Sequence, residues 1–214
     1  MNQCPLCLVK DAHHYYSDKR RSYFQCQECE LVFVPHEHLL NAKDEKAHYD
    51  LHENNPEDQG YRRFLSRVAT PLLERIAPSS TGLDFGCGPG PTLSLMMQEQ
   101  GHQVSLYDVF YQPDKQVLEA QYDFVTATEV IEHLHQPDQV WQQWLTMLRP
   151  GAWLAVMTKM VLDVEAFARW HYKNDLTHVI FFSRRTFEYL AKRDCLHLEF
   201  IGNDVILLRK PDES

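Results

Sequence analysis

The sequence predicts an α/β domain, an open sheet with helices on its faces, carrying a small metal-stapled module at its N-terminus. Two observations predict it. The run Thr81 to Phe85 breaks into Gly86-Cys87-Gly88-Pro89-Gly90 and then into an apolar helical pattern, Thr92 to Met97, the strand, glycine turn and helix of a ligand-binding open sheet. Two Cys-x-x-Cys pairs, Cys4/Cys7 and Cys26/Cys29, stand with 18 residues between them in a segment too short to hold a core alone. A chain of 214 residues suits one full domain and an appendage, and 44% hydrophobic residues mark it as folded throughout apart from its ends.

The N-terminal module takes residues 1–34. Zinc prefers four thiolates in a tetrahedron, and each Cys-x-x-Cys turn points two sulfurs at one ion, so Cys4, Cys7, Cys26 and Cys29 form a candidate structural zinc site. Metal binding would supply the folding free energy that so small a module lacks. Iron fits the same spacing, and two disulfides are the other reading, against which a reducing cytosol argues. Between the pairs, His13 to Phe24 reads as a hairpin rich in Tyr and Phe. The module resembles a zinc ribbon, and it is a candidate surface for a protein partner.

Charge and patterning exclude several classes. Lys and Arg total 21 against 30 acids, a formal charge of -9, whose field opposes nucleic acid and anionic lipid. The cluster Lys19-Arg20-Arg21 reads as a solvated turn, with contact to one particular nucleic acid left open. No basic-then-apolar leader and no run of about eighteen apolar residues occurs, so a cytoplasmic chain without membrane spans is expected.

Residues 35–77 form a linker or lid followed by a helix. From His36 to Gly60 seven acids face two lysines. Tyr49 to Pro56 is polar and aromatic; it reads either as solvated linker or as a segment that closes over a ligand. Tyr61, Phe64, Leu65, Val68, Leu72, Leu73 and Ile76 then recur at three- and four-residue steps, one apolar helix face running to about Ala77, with Pro71 as a possible bend.

Residues 78–214 carry the ligand-binding domain. After the glycine turn, the strand His102 to Tyr107 ends at Asp108, where a carboxylate can accept both hydroxyls of a ribose. A dinucleotide fingerprint wants glycines at positions one, three and six, but Gly86, Gly88 and Gly90 stand at one, three and five with Pro91 sixth. Asp84, just before the turn, suits a cationic sulfonium and ammonium ligand and would repel a pyrophosphate.

Leu83 to Gly90 resembles the first motif of class I S-adenosylmethionine-dependent methyltransferases, and Asp108 matches their ribose-binding acid. Tyr122 to Thr128 resembles their fourth strand, Glu129 to Leu134 the segment after it, and Leu148 to Leu154 the turn into the fifth strand. The resemblance spans about residues 76–210 and extends to a bacterial group bearing zinc ribbons, some of whose relatives methylate sugars or quinone precursors. It implies a Rossmann-like sheet with an antiparallel terminal strand, and S-adenosylmethionine held by Asp84, Gly86, Cys87, Gly88, Gly90, Asp108, Val109, Phe110 and Thr128. One departure stands out. Between Asp108 and Tyr122 lie 13 residues, where the family places a helix and a strand, so one edge of the sheet should be abbreviated and Phe110 or Tyr111 left to stack on adenine.

Methyl transfer needs alignment first, and a base only if the acceptor is protonated. Glu129, Glu132 and His133, at i, i+3 and i+4 of an expected helical turn, are candidates for a base with its orienting partner, for a divalent-ion site, or for a capped helix start with one buried acid. His171, Tyr172 and His178, in the loop after the fifth strand, are candidates to bind or deprotonate the acceptor, or else to plug the core. Cys87 and Cys195 read as small buried or partly buried residues rather than nucleophiles. Ser183 to Ala191 reads as a capped helix, and His197–Ile201 with Asp204–Arg209 as two closing strands about Gly202-Asn203.

The expected activity is methyl transfer from S-adenosylmethionine to a small-molecule acceptor, by O- or C-methylation of a sugar- or quinone-like compound. The rival is a non-catalytic binding protein, in which the zinc ribbon docks a partner and the larger domain senses the cofactor; a dehydrogenase is the third reading.

Overall fold

The structure, a computed structural model, describes residues 3–50 and 55–212. The segment Leu51 to Asn54, within the expected ligand-closing stretch, lies outside the described residues.

In the N-terminal module, β1 (Ala12–Ser17) and β2 (Ser22–Cys26) form the expected hairpin, with an irregularity in register between His14 and Tyr16. Asp18 closes its turn, Oδ1 accepting the backbone N–H groups of Arg20 and Arg21. A short β3 (Val32–Phe33) follows the second cysteine pair. Helix α1 (Ala42–Tyr49) is capped by the Asn41 side chain and buries none of its residues. Helix α2 (Gln59–Leu73), capped by Asp58, buries Leu65, Val68, Ala69, Pro71 and Leu72, the apolar face read from the sequence. It stops four residues before Ala77, with Pro71 in its last turn, where a missing N–H costs one ladder bond.

The larger domain begins with β4 (Thr81–Phe85), α3 (Thr92–Glu99), β5 (Gln103–Tyr107) and β6 (Tyr122–Thr128). It continues with α4 (Pro137–Met147), β7 (Leu148–Met157), α5 (Val164–Arg169) and β8 (Ile180–Phe181). Helix α6 (Arg184–Arg193), with a Ser183/Thr186 capping box, and the terminal hairpin β9 (His197–Ile201) and β10 (Val205–Arg209) complete it.

Six strands form the central sheet in the order β5-β4-β6-β7-β10-β9, with β4 to β7 parallel and β10 antiparallel to both its neighbours. The abbreviated edge is real: β5 is the end strand, and the residues before β6 hold a 3-10 turn (Lys115–Glu119) in place of a strand. Helices α2 and α3 bury Leu65, Val68, Leu72, Leu93 and Met97 against Phe124, Ala155 and Leu207 on one face of the sheet. The other face packs Trp141, Trp144, Phe187 and Leu190 against Val125, Val156 and Ile206.

The cysteine module joins this second core rather than standing apart from it. β3 pairs with β2 on one side and with β8 on the other, Val32 opposite Phe181 and Phe33 opposite Ile180, so a four-stranded sheet runs across both parts. Tyr23 of β2 is fully buried against Phe167 and Phe181, with ring centroids 5.0 and 5.9 Å away. Among the described residues no helix is long and apolar enough to cross a membrane.

Candidate active site and cysteine cluster

At the C-terminal end of β4 the chain turns through Gly86, whose φ is +74°, and Gly88, whose φ is +63°. The N–H groups of Gly86 and Cys87 both donate to Tyr107 O, at 2.7 and 3.2 Å, which bends the turn over the end of β5. A Cβ on Gly86 would lie 2.4 Å from Val130 Cγ2, so position 86 admits glycine on both conformation and space. The Asp108 carboxylate stitches this turn to the next loop: Oδ2 accepts Gly88 N–H at 3.0 Å, and Oδ1 accepts Phe110 and Tyr111 N–H at 2.8 and 3.1 Å. Three backbone donors thus fix its orientation and aim it at the turn.

These residues wall a cavity of 620 Å³ at the carboxyl ends of β4, β5 and β6. Of the sequence candidates, Gly86, Cys87, Gly88, Asp108, Val109, Phe110, Thr128, Glu129, His133 and His178 line it. Asp84, Gly90, Glu132, His171 and Tyr172 stand outside its wall. Asp84 is buried beneath the turn, where its carboxylate accepts the Thr126 hydroxyl at 2.8 Å and burial pushes its pKa up to about 6. His171 is exposed, its Nε2 3.5 Å from Lys159 Nζ. Burial raises the Cys87 thiol to about 12, far from a nucleophilic thiolate, whereas Cys195 is exposed, not buried as expected.

Of the opposite wall the sequence offered only Tyr49, in the stretch read as linker or ligand-closing segment, and missed Tyr61 and Phe64. Tyr49 of α1 and the stacked pair Tyr61 and Phe64 of α2, with centroids 6.3 Å apart, face the glycine turn across the cavity. Phe110 approaches Tyr49 at 5.7 Å, and the Tyr111 hydroxyl donates to Asp50 at 2.7 Å, so the lid segment rests on the loop after β5. The signal was present in the aromatic i, i+3 pair, but its period belongs equally to a helix face that packs on the core.

The cavity fits an adenosyl sulfonium ligand on observations of its own. It combines a glycine turn without Cβ atoms, the Asp108 carboxylate, aromatic side chains, and Thr128 Oγ1, a buried hydroxyl with no hydrogen-bond partner among the described residues.

On the same wall the expected helical turn over Glu129 to His133 is replaced. Glu129 takes a left-handed conformation, φ +52°, and Ile131–His133 form a 3-10 turn. Glu129 and His133 therefore face the cavity while Glu132 turns fully inward. There Glu132 accepts the hydroxyls of Tyr172 and of Thr158, the latter at 3.0 Å. Tyr172 also lies 3.2 Å from Glu129 Oε2. Its single proton serves Glu132, so the approach to Glu129 is a hydrogen bond only while Glu129 is protonated. Burial, reinforced by the Glu132 charge, pushes Glu129 up to about 8; burial pushes Glu132 to about 7. Glu129 thus combines a left-handed non-glycine backbone, a raised pKa and a place on the cavity wall, which makes it a candidate acid–base group.

The two histidines meet edge to face at 4.6 Å. His133 Nδ1–H donates to Thr177 O at 3.1 Å and His178 Nδ1–H to Tyr172 O at 2.7 Å, so in its neutral form each ring would carry its lone pair on Nε2. Burial first, then the neighbouring His133, lowers His178 to about 4, which keeps it neutral at pH 7. Ligand atoms of Glu132, His133 and His178 lie within 4.8 Å of one another and could hold a cation.

The four cysteines of the N-terminal pairs also converge to within 4.8 Å, with Cys4 and Cys29 sulfurs 3.6 Å apart and Cys7 and Cys26 3.4 Å apart. These are not disulfide distances; a tetrahedron with metal–sulfur bonds of about 2.3 Å has edges of about 3.8 Å. The two turns are built alike. Leu8 N–H donates to Cys4 O and Glu30 N–H to Cys26 O, both at 3.1 Å, and Leu8 and Glu30 both have positive φ, +65° and +57°. Left-handed backbone at a leucine and a glutamate is unfavourable alone, and its repetition points to a common ligand geometry.

A family model described as a methyltransferase domain matches residues 58–194. Over 91 residues the chain is 30% identical to the ubiquinone biosynthesis O-methyltransferase of Shewanella pealeana; the match covers 42% of this chain and 39% of that relative, well under half its length. Among solved structures, the Burkholderia thailandensis 1,6-didemethyltoxoflavin-N1-methyltransferase, with 1,6-didemethyltoxoflavin and S-adenosylhomocysteine bound, aligns with a TM-score of 0.52 at 16% identity, over 94% of this chain and 100% of that one. An O-methyltransferase family protein from the same organism aligns with a TM-score of 0.56 at 10% identity, over 81% of this chain and 61% of that one. At such identities the structural likeness is one of fold.

Proposed function

Since the chain belongs to the methyltransferase-domain family, we propose that it transfers the methyl group of S-adenosylmethionine to a hydroxyl of a small-molecule acceptor, with a structural zinc ion in the N-terminal module. The observation that carries this reading is the placement of Glu129 beside the glycine turn on the wall of one cavity.

When bound, the cofactor supplies an electrophilic methyl on a sulfonium, whose carbon–sulfur electron pair returns to sulfur on transfer. The residues suited to hold it are Gly86, Cys87, Gly88, Asp108, Val109, Phe110 and Thr128, with Asp84 and Gly90 shaping the turn from behind. Asp108, oriented by three N–H groups, is the acceptor for ribose hydroxyls. The acceptor side is formed by Glu129, His133 and His178 with Tyr49, Tyr61 and Phe64 opposite. Glu129 takes the hydroxyl proton as the acceptor oxygen bonds to the methyl carbon. Once protonated, Glu129 can donate to the Tyr172 oxygen behind it, which Glu132 holds in place, and His178 Nε2, unprotonated at neutral pH, can accept a second acceptor hydroxyl. Aromatic walls favour a flat hydroxyaromatic over a sugar, in keeping with the name of the curated relative, an O-methyltransferase of ubiquinone biosynthesis.

Zinc on Cys4, Cys7, Cys26 and Cys29 closes its coordination sphere and takes no part in the chemistry. Because its ligands must stay reduced, we place the protein in the cytoplasm.

The test is calorimetric titration with S-adenosylhomocysteine, then a labelled-methyl assay against catechols, simple phenols and hydroxylated sugars. Binding with label transfer to a hydroxyaromatic supports the reading. Absence of binding by folded protein overturns it.

A further inference from the structure

Of the basic cluster in the β1–β2 turn, Lys19 and Arg20 are exposed as a solvated turn would have them, but Arg21 is not. Arg21 is 4% exposed, and its guanidinium enters the larger domain. Nη2 donates to Lys173 O at 2.6 Å and Asp175 O at 2.7 Å, Nη1 to Leu176 O at 3.2 Å, and Nε to the Tyr23 hydroxyl at 3.0 Å. Arg20 Nη2 donates to Asn174 O at 3.0 Å. With His178 bonded to Tyr172 O and His133 to Thr177 O, every carbonyl from Tyr172 to Thr177 accepts a side-chain donor, and those of 173 to 176 take theirs from the hairpin arginines. Asp175 O also accepts His178 N–H at 3.3 Å; a loop carbonyl without such a backbone partner is otherwise left to water.

This stretch carries Asp175 and His178 to the cavity wall and Tyr172 to the glutamates behind it. The hairpin that reaches it is fastened at both ends by cysteine: Cys4 and Cys7 precede β1, Cys26 ends β2, and Cys29 leads into β3. The loop's far end is tied to the same module, Val34 N–H donating to Val179 O at 2.9 Å. Five guanidinium donors in a rigid fork suit converging carbonyls in a way one ammonium cannot reproduce.

We propose that Arg21, assisted by Arg20, is a positioning residue through which the four-cysteine module holds the 172–178 loop in its cavity-lining shape, so that metal loading governs the acceptor side of the site and not the glycine turn. Calling that face the acceptor side rests on the methyl-transfer reading; the contact itself does not.

The experiment is amide hydrogen exchange on the full-length protein, comparing the unaltered chain, its metal-depleted form after chelation, and the Arg21→Lys, Arg21→Gln and Arg20→Ala variants. Exchange at residues 172–179 should rise by about tenfold or more in the Arg21 variants and the metal-depleted protein, and less in Arg20→Ala, while residues 81–99 and the affinity for S-adenosylhomocysteine stay unchanged. Arg21→Lys keeps the charge, so the electrostatic setting of His178 among His133, Asp175 and position 21 is preserved. A rise of its ring titration from about 4 toward the ordinary 6.5, followed by NMR, then reports re-exposure of the ring. Unchanged exchange at 172–179 in both Arg21 variants, or in metal-depleted protein, overturns the proposal. If the unaltered chain ignores S-adenosylhomocysteine, the methyl-transfer reading falls while the exchange data still decide the role of Arg21.

Discussion

The Tyr172 hydroxyl stands between two buried glutamates, hydrogen-bonded to Glu132 and 3.2 Å from Glu129 Oε2. One hydroxyl proton cannot serve two carboxylates, so the trio holds an extra proton near neutral pH. Glu132, which also takes the Thr158 hydroxyl, is the better stabilised anion, and Glu129 the better proton carrier.

Methyl transfer to a hydroxyl acceptor should therefore rise with pH and level off above about 8, because Glu129 accepts a proton only once ionised and burial has raised its pKa to about 8. Glu129→Gln should lower kcat by about 100-fold or more and abolish that rise. Turnover between pH 6 and 9 measures it, and a variant with the parent's profile removes Glu129 from the base role.

Glu132 links the same network to stability. Its pKa is raised from 4.5 to about 7 by burial. Below 4.5 both folded and unfolded chains hold the proton; as pH rises to about 7 the unfolded chain releases it first, so stability is lost across that window. Glu132→Gln removes this loss and can keep its bonds to Tyr172 and Thr158. Its thermal midpoint relative to the parent should be higher at pH 8 than at pH 5 by about 5 °C, on the usual scaling for a domain of this size. Midpoint differences independent of pH would show that Glu132 is ionised alike in both states.

Gly86→Ala should weaken S-adenosylhomocysteine binding by about tenfold or more and destabilise the fold by about 1–3 kcal/mol, since it combines positive φ with a 2.4 Å clash on Val130. Adding Val130→Ala relieves the clash but not the backbone strain, so it should restore part of the stability. Titration calorimetry and denaturant unfolding give the two numbers.

Cys26→Ser should remove one of four ligands, lowering metal content from about one ion per chain to a small fraction of that after dialysis against chelator. Because β2 and β3 carry Tyr23 and Val32 into the shared core, the thermal midpoint should fall as well. Elemental analysis that finds neither zinc nor iron in the unaltered protein would sink the metal assignment.

Much of this molecule follows from local rules that its sequence states directly. The glycine turn between β4 and α3 and the acid ending β5 are short-range devices whose residue types follow from backbone geometry. The same is true of the closing hairpin about Gly202 and of the missing edge strand, which follows from a segment of 13 residues. The paired cysteines belong here too, because metal ligands must recur at fixed steps along a turn.

What the tertiary structure decided lies in contacts between segments distant in the chain. Tyr61 and Phe64 have the period of a packing helix, and nothing local distinguishes a face that meets the core from one that meets a ligand. Glu129 and Glu132 are three residues apart and chemically alike; a left-handed backbone at Glu129 turns one to the cavity and the other inward. Arg21 looks like any arginine in a charged turn, and only the carbonyls of residues 173, 175 and 176, more than 150 positions away, make it a buried support. Residue type and spacing determine which conformations and ligands a segment can offer, but burial, and the pKa values and partners that follow from it, exist only once remote segments exclude water from one another.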